Sequence, residues 1–346
     1  MQNPTGTMGH TRSGHAHPLA GARGWIISDG KAGHEALCLG VAAALGLSVE
    51  IKRIAPSGIW KALAPWGPVS PSERFGAPHT TFAPPWPQIA LAAGRTTTPY
   101  IRALKKKAGL KTFTVVMMDP KTGPATADLF WVPEHDRRRG PNVIATLTAP
   151  HPLSPQRLAD VRKTPDAAID ALKAPRVAVL VGGPNERYRY PKPVIDRLAD
   201  TVRSLVDLGA GLMITVSRRT PPELVAALDD AVQGTNAIFW KGEGPNPYSA
   251  FLAHADTFLV TADSVNMVGE AAATGKPIYV FEPQGGADKF TAFHAALRAK
   301  GVTREAPDRF ETIGEWTYTP LYAADTIAAE IAQRWQRRKS LLSGLT

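Results

Sequence analysis

The sequence predicts an α/β protein built from two Rossmann-like domains, each a parallel sheet with helices on both faces. Three observations predict it. Short β-rich runs alternate with helical stretches along most of the 346 residues, the pattern of parallel sheets. A proline-bearing stretch from Thr148 to Ala174 interrupts that alternation and changes the composition. Each strand end is polar or glycine-rich, and ligands bind at that edge of such sheets. The length, with 44% apolar residues, suffices for about two domains with cores of their own.

Residues 1–21 carry Gly, Pro, Ser, Thr and histidines without apolar periodicity and are expected to form a disordered tail. His15 and His17 lie there with nothing nearby to complete a metal site. The segment has no amphipathic apolar face and no secretory h-region.

The first domain is expected over 22–150. Gly24–Ser28 is a strand, Asp29–Glu35 a glycine-containing loop, and a helix follows from about Ala36 to Ala44. The first βα turn of a doubly wound domain is a usual ligand site, and Gly30 and Gly33 would let backbone approach a ligand closely. The spacing is neither G-x-G-x-x-G nor a P-loop, so NAD and ATP gain no support. Val49–Ile54 is a second strand. From Ala55 to Pro87 the chain is rich in proline, glycine and aromatics, including Trp60, Trp66, Phe75, Phe82 and Trp86. This is too apolar for plain disorder, and is expected to pack on the domain or to meet a lipid. Gln88–Ala92 is a strand leading to Gly94-Arg95-Thr96. A helix over Tyr100–Ala108 and strands at Thr112–Met118, Leu129–Val132 and Val143–Leu147 complete the domain.

After a linker over 151–174, the second domain is expected over 175–320. Arg176–Val181 is a strand ending in Gly182-Gly183-Pro184, followed by a helix from Val194 to Leu208. Gly211–Ser217 is a strand ending in Arg218-Arg219-Thr220-Pro221, followed by a helix over Glu223–Ala231. Ala237–Trp240 is a strand and Pro247–His254 a short helix. The stretch Leu259–Pro283 reads as strand, polar turn, helix, glycine stop and strand. Asp263 or Ser264 caps the helix, Gly275 ends it and Pro277 prevents its continuation. A helix N-terminus at the end of a buried strand favours an anion such as phosphate. Glu270, further along, could accept bonds from paired hydroxyls such as those of a ribose. Over 321–346 the apolar spacing of Ile327, Ala328, Ile331 and Trp335 predicts an amphipathic helix that packs back on the first domain.

Composition narrows the function classes. A single cysteine, Cys38, excludes a disulfide framework and a cysteine-based zinc site, which fits a reducing compartment; its bland role is that of a small buried apolar residue. No apolar run reaches the roughly 18 residues that cross a bilayer, so a cytoplasmic protein, soluble or peripheral at a membrane's inner face, is expected. The net charge of +10 implies acidic partners. With no zinc finger, RNA-binding aromatic signature or basic-region heptad, nucleic acid is the least supported of them. Arg102, Lys105 and Lys106, with Lys107 and Lys111, and the run Arg137–Arg139 are solvated surface or face an anionic membrane.

The runs Ser28–Glu35, Gly182-Gly183-Pro184, Ser217–Pro221 and Thr261–Ala271, in order between about Trp25 and Trp335, make the sequence similar to the plant mitochondrial-fission (elongated mitochondria) family and its bacterial relatives. The resemblance implies a GT-B architecture, two Rossmann-like domains facing across a cleft with a nucleotide-sugar held by the second. It places the donor ribose on Glu270 and the phosphates on Ser264 and neighbouring amides. Gly182, Gly183, Ser217, Arg218, Thr261, Asp263 and Met267 complete the expected donor side, and Gly30, Gly33, Glu35 and Arg95 the acceptor side.

The chemistry then expected is sugar transfer from a nucleoside-diphosphate-sugar, the donor substrate, to a lipid-linked or cell-envelope acceptor. His34 and Asp29 are the candidate bases, since an imidazole takes a proton near neutral pH; a helix-capping histidine and an Asx turn are their plainer roles. Arg218 offers a bidentate partner for phosphate. There is no D-x-D motif, so neither a metal nor a further cofactor is expected. A nucleotide-sugar epimerase on the same fold and a non-catalytic scaffold are the competing readings.

Overall fold

The computed structural model of the chain describes residues 17–343. The expected tail from Met1 to Ala16, with His15, lies outside them. His17–Gly21 is ordered, contrary to expectation. Leu19 is buried in the first domain's core, and the Gly21 N–H donates to the Gly46 carbonyl at 2.8 Å. One leucine makes no periodic signal, yet its burial anchors the turn.

The first domain runs β1 (Arg23–Ser28), α1 (Ala32–Leu45), β2 (Ser48–Arg53), α2 (Gly58–Leu63), β3 (Ile89–Ala93), α3 (Thr98–Ala108), β4 (Phe113–Met117), β5 (Leu129–Pro133) and β6 (Val143–Thr146). Its strands lie in the order β2-β1-β3-β4-β5-β6 and every pairing is parallel. Burial on both faces explains the near-continuous apolar strands. Along β3, Ile89, Leu91 and Ala93 enter one core while Ala90 and Ala92 enter the other.

The expected linker is structured. It contains α4 (Pro155–Arg162) and α5 (Ala167–Asp170). Leu158, Ile169 and Leu172 are buried in the second domain's core, and Arg162 donates to the Ala253 carbonyl at 2.6 Å. Prolines at 152 and 155 read as breakers, but Pro155 occupies a first-turn position beside the Ser154 cap, where proline suits a helix.

The second domain runs β7 (Arg176–Val181), β8 (Tyr188–Arg189), α6 (Lys192–Asp207), β9 (Gly211–Val216), α7 (Pro222–Ala231), β10 (Ile238–Trp240), α8 (Tyr248–His254), β11 (Thr257–Thr261), α9 (Val265–Ala272), β12 (Ile278–Phe281), β13 (Gln284–Gly285), α10 (Asp288–Ala299) and β14 (Thr303–Glu305). Its main sheet is parallel in the order β10-β9-β7-β11-β12-β14. β8 and β13 form a small antiparallel pair beside it. Helix α11 (Ala323–Ser343) returns to the first domain, where Ile327, Ile331 and Trp335 join Val41 and Leu45.

The aromatic excursion divides in two. Phe75, Phe82 and Trp86 pack around Trp25 and Tyr100, whereas α2 has no buried side chain. Cys38 is buried, and burial pushes its thiol far up. Among the described residues no helix is long and apolar enough to cross a membrane.

Candidate functional site

Each sheet has one place where the strand order reverses direction, and a crevice opens there at the carboxyl ends of the strands. In the first sheet it lies between β1 and β3, and in the second between β7 and β11. The two carboxyl edges face one another: His135, past the end of β5, stacks edge-on with Phe293 of α10 at 6.3 Å.

At the β1/β3 crevice, Asp29 and His34 form a pair. His34 Nδ1 lies 3.0 Å from Asp29 Oδ1, and Thr96, past β3, donates to Asp29 Oδ2 at 3.2 Å. The other ring nitrogen, Nε2, has no hydrogen-bond partner among the described residues. Burial pushes the Asp29 carboxyl up, but the hydrogen bond and charge of His34 and the contacts from Lys31 together hold it below the usual carboxylate range. The His34 ring rests on Gly94, where a Cβ would sit 2.5 Å from the ring, so only glycine fits. Helix α1 begins at Ala32 rather than near Ala36, which puts Gly33, His34 and Glu35 in its first turn. Gly33 has open space beside it. Gly30 donates its N–H to Ser28 Oγ at 2.9 Å. Glu35 is engaged within the protein, accepting from Ser28 Oγ at 2.5 Å with Arg53 at 3.5 Å. Arg95 is exposed and donates to the Lys61 carbonyl at 2.7 Å.

At the β7/β11 crevice a buried carboxylate organises the strand ends. Asp263 has a fully buried side chain, and its Oδ2 accepts from the Gly183 N–H at 2.8 Å and from Arg219 at 3.3 Å. Its Oδ1 accepts from the Tyr190 hydroxyl at 2.5 Å. Asp263 is therefore a tie between loops, not the cap of α9. The Gly182 N–H donates to Thr261 Oγ1 at 2.8 Å. The amides of both glycines expected on the donor side thus have partners inside the protein. The glycines serve close packing instead: a Cβ on Gly182 would sit 2.1 Å from Asp263 Oδ2.

Of the two adjacent arginines, Arg218 and Arg219, both exposed, Arg219 turns back to Asp263 and to the Gly183 carbonyl at 3.1 Å. The Ser217–Thr220 turn sets this direction, with Ser217 Oγ accepting from the Arg219 N–H at 3.2 Å and Ser217 N–H donating to Thr220 Oγ1 at 2.9 Å.

Ser264 is the residue before α9, and its side chain makes no capping bond. The Val268 N–H closes the first turn onto the Ser264 carbonyl at 3.1 Å. The preceding amides, Val265 to Met267, are those a helix start leaves for an external acceptor. Met267 packs against the domain core. Glu270 accepts the Tyr248 hydroxyl of α8 on its Oε2. Burial raises the Glu270 carboxyl to about 7, against a lowering by the tyrosine bond. Sequence reasoning missed Tyr248, Tyr190 and Arg219; an apolar helix carrying one carboxylate was the only signal that it needed a buried partner.

The sequence model described as Mitochondrial fission ELM1 matches residues 32–335. The mitochondrial fission protein ELM1 of Arabidopsis thaliana is 30% identical over 291 residues, which cover 75% of this chain and 67% of that protein. An uncharacterised protein of Rickettsia prowazekii is 28% identical over 156 residues, 44% of each. Among solved structures, the UDP-GlcNAc 2-epimerase of Methanocaldococcus jannaschii matches with a TM-score of 0.52 at 12% identity, covering 90% of this chain and 99% of that one. At that identity the likeness concerns the fold, which is GT-B: two Rossmann-like domains facing across a cleft.

Proposed function

The chain belongs to the mitochondrial fission ELM1 family, and from that premise we propose that it is a glycosyltransferase that takes a sugar from a nucleoside diphosphate. The observation that carries this is the pairing of a desolvated acceptor, Glu270, with an open helix start, Val265–Met267, at the second sheet's switch point. A ribose would donate its hydroxyls to Glu270, and a diphosphate would lie against the α9 amides with the helix dipole behind them. The fold neighbour's own substrate is a UDP-sugar, which supports looking first at uridine nucleotides. Exposed Arg218 supplies positive charge at the rim.

Across the cleft, His34 Nε2 would take the acceptor hydroxyl's proton while Asp29 holds the ring and balances its charge. The acceptor oxygen bonds to the sugar's anomeric carbon as the bond from that carbon to the diphosphate breaks. Direct displacement inverts the anomeric centre. In this reading the departing charge is met by helix amides and arginine, with no metal and no further cofactor. The acceptor is lipid-linked or an envelope glycan, reached from the cytoplasmic face of a membrane.

The epimerase fold neighbour favours a second reading, in which the same cleft epimerises a nucleotide-sugar. The name of the Arabidopsis relative supports a third, a binding scaffold without turnover. Incubation with UDP-GlcNAc alone and with added lipid-linked acceptors separates them. Transfer only with acceptor supports the proposal, an epimer formed without acceptor supports the second reading, and nucleotide binding without product supports the third.

A further inference from the structure

Helix α2 and the turn after it expose what the rest of the aromatic excursion buries. Ile59 is 63% exposed, Leu63 43% and Trp66 65%. Arg95 fixes the helix through the Lys61 carbonyl, and Arg102 of α3 donates to the Trp66 carbonyl at 2.7 Å. Because Arg95 directly follows Gly94, on which His34 rests, this apolar ridge stands at the rim of the Asp29–His34 crevice.

We propose that α2 and Trp66 are a docking surface for an anionic lipid bilayer, a claim that deepens the proposed function and rests on it for its purpose. Charge selects the occupant. Lys61 lies on the ridge, Arg95 beside it, and Lys106 one turn beyond Arg102 on the same side of α3; Lys61, Arg95 and Lys106 are exposed. The acids on either side of the ridge in sequence are engaged, Glu50 with Lys52 and Glu73 with the Tyr100 hydroxyl. Tryptophan and aliphatic side chains interleaved with cations suit the headgroup boundary. Three side chains on one short helix and the turn after it fall well below the roughly 800 Å² per partner of a stable protein interface, whereas insertion into a bilayer needs no matching surface. Docking there would bring a lipid-linked hydroxyl to the candidate base.

The test is co-sedimentation of the full chain with vesicles of phosphatidylcholine and with vesicles in which part of it is replaced by phosphatidylglycerol. Binding to the anionic vesicles, weaker binding to neutral ones and release by salt are expected. The triple variant I59S/L63S/W66S and the charge variant K61E/K106E should each lower anionic-vesicle binding at least about tenfold. All five substituted side chains are solvent-facing, so gel filtration and unfolding should match wild type. No vesicle binding by wild type, equal binding to both vesicles, or undiminished binding by the triple variant overturns the proposal. Loss of a wild-type dimer in the triple variant, with lipid binding unchanged, would assign the ridge to a second copy. A UDP titration of the same proteins separates the two claims: vesicle binding without UDP binding sinks the donor reading alone, and UDP binding without vesicle binding sinks the surface alone.

Discussion

Tyr248 donates its hydroxyl to Glu270, joining α8 to α9 beneath the second domain's switch point. The tyrosine is partly buried, and the carboxyl it holds is raised by burial to about 7. A carboxyl raised in the folded state stabilises the fold fully below its unfolded value of 4.5, and that contribution is lost as pH rises through about 7. Glu270→Gln, which copies the neutral form, should therefore gain on wild type across that window, by about 2 kcal/mol once partial exposure is discounted. Urea unfolding at a series of pH values measures it; a difference that stays constant with pH would refute the assignment.

The same titration should appear in binding. A nucleotide-sugar's diphosphate diester has no ionisation near neutrality, so its affinity should rise with pH through about 7 as Glu270 gains its charge. Tyr248→Phe removes the bond that lowers Glu270, so its midpoint should move to higher pH. Calorimetry on wild type, Tyr248→Phe and Glu270→Gln checks this, with the pH dependence absent from the last.

Asp263 ties three strand-end loops through Gly183, Tyr190 and Arg219. Removing one member of a buried charged network strands the others, so Asp263→Ala should cost about 3 kcal/mol or more. Arg219→Ala, which removes a partly exposed partner, should cost about 1 kcal/mol. Equal losses in denaturant unfolding would contradict the hub.

His34→Ala should lower transfer by about a hundredfold or more while leaving nucleotide affinity unchanged, the signature of a proton acceptor. Asp29→Asn should lower it less, because the imidazole remains but loses its charged support. Single-turnover assays with fixed donor read the difference. A parallel fall in donor affinity would move His34 to a binding role.

Much of the fold was legible in the sequence because alternating apolar runs and glycine turns mark strand and helix locally. Arg176–Val181, for example, is a strand with the expected bounds. The start of α1 was not legible, since Gly33 is a poor helix former and only the packed domain overrides that preference. The site was half legible. Asp29 and His34 lie past the end of β1, as the strand-end rule expects, and Glu270 lies on the helix after β11. The internal partners of Gly182 and Gly183 were not legible, because Asp263, which takes the Gly183 amide, is 80 positions away. Tyr190 lies 73 positions from Asp263, on an excursion with no periodic signal. Between Arg218 and Arg219, turn geometry alone decides which points inward.

The central claim, a nucleotide held by α9 and Glu270, is tested most directly by calorimetric titration of UDP into wild type and Glu270→Ala. The expected result is saturable binding by wild type, weakened tenfold to a hundredfold in the variant, as the loss of charge-assisted bonds worth roughly 1.5–3 kcal/mol requires. No binding by wild type, or equal binding by both proteins, would contradict it.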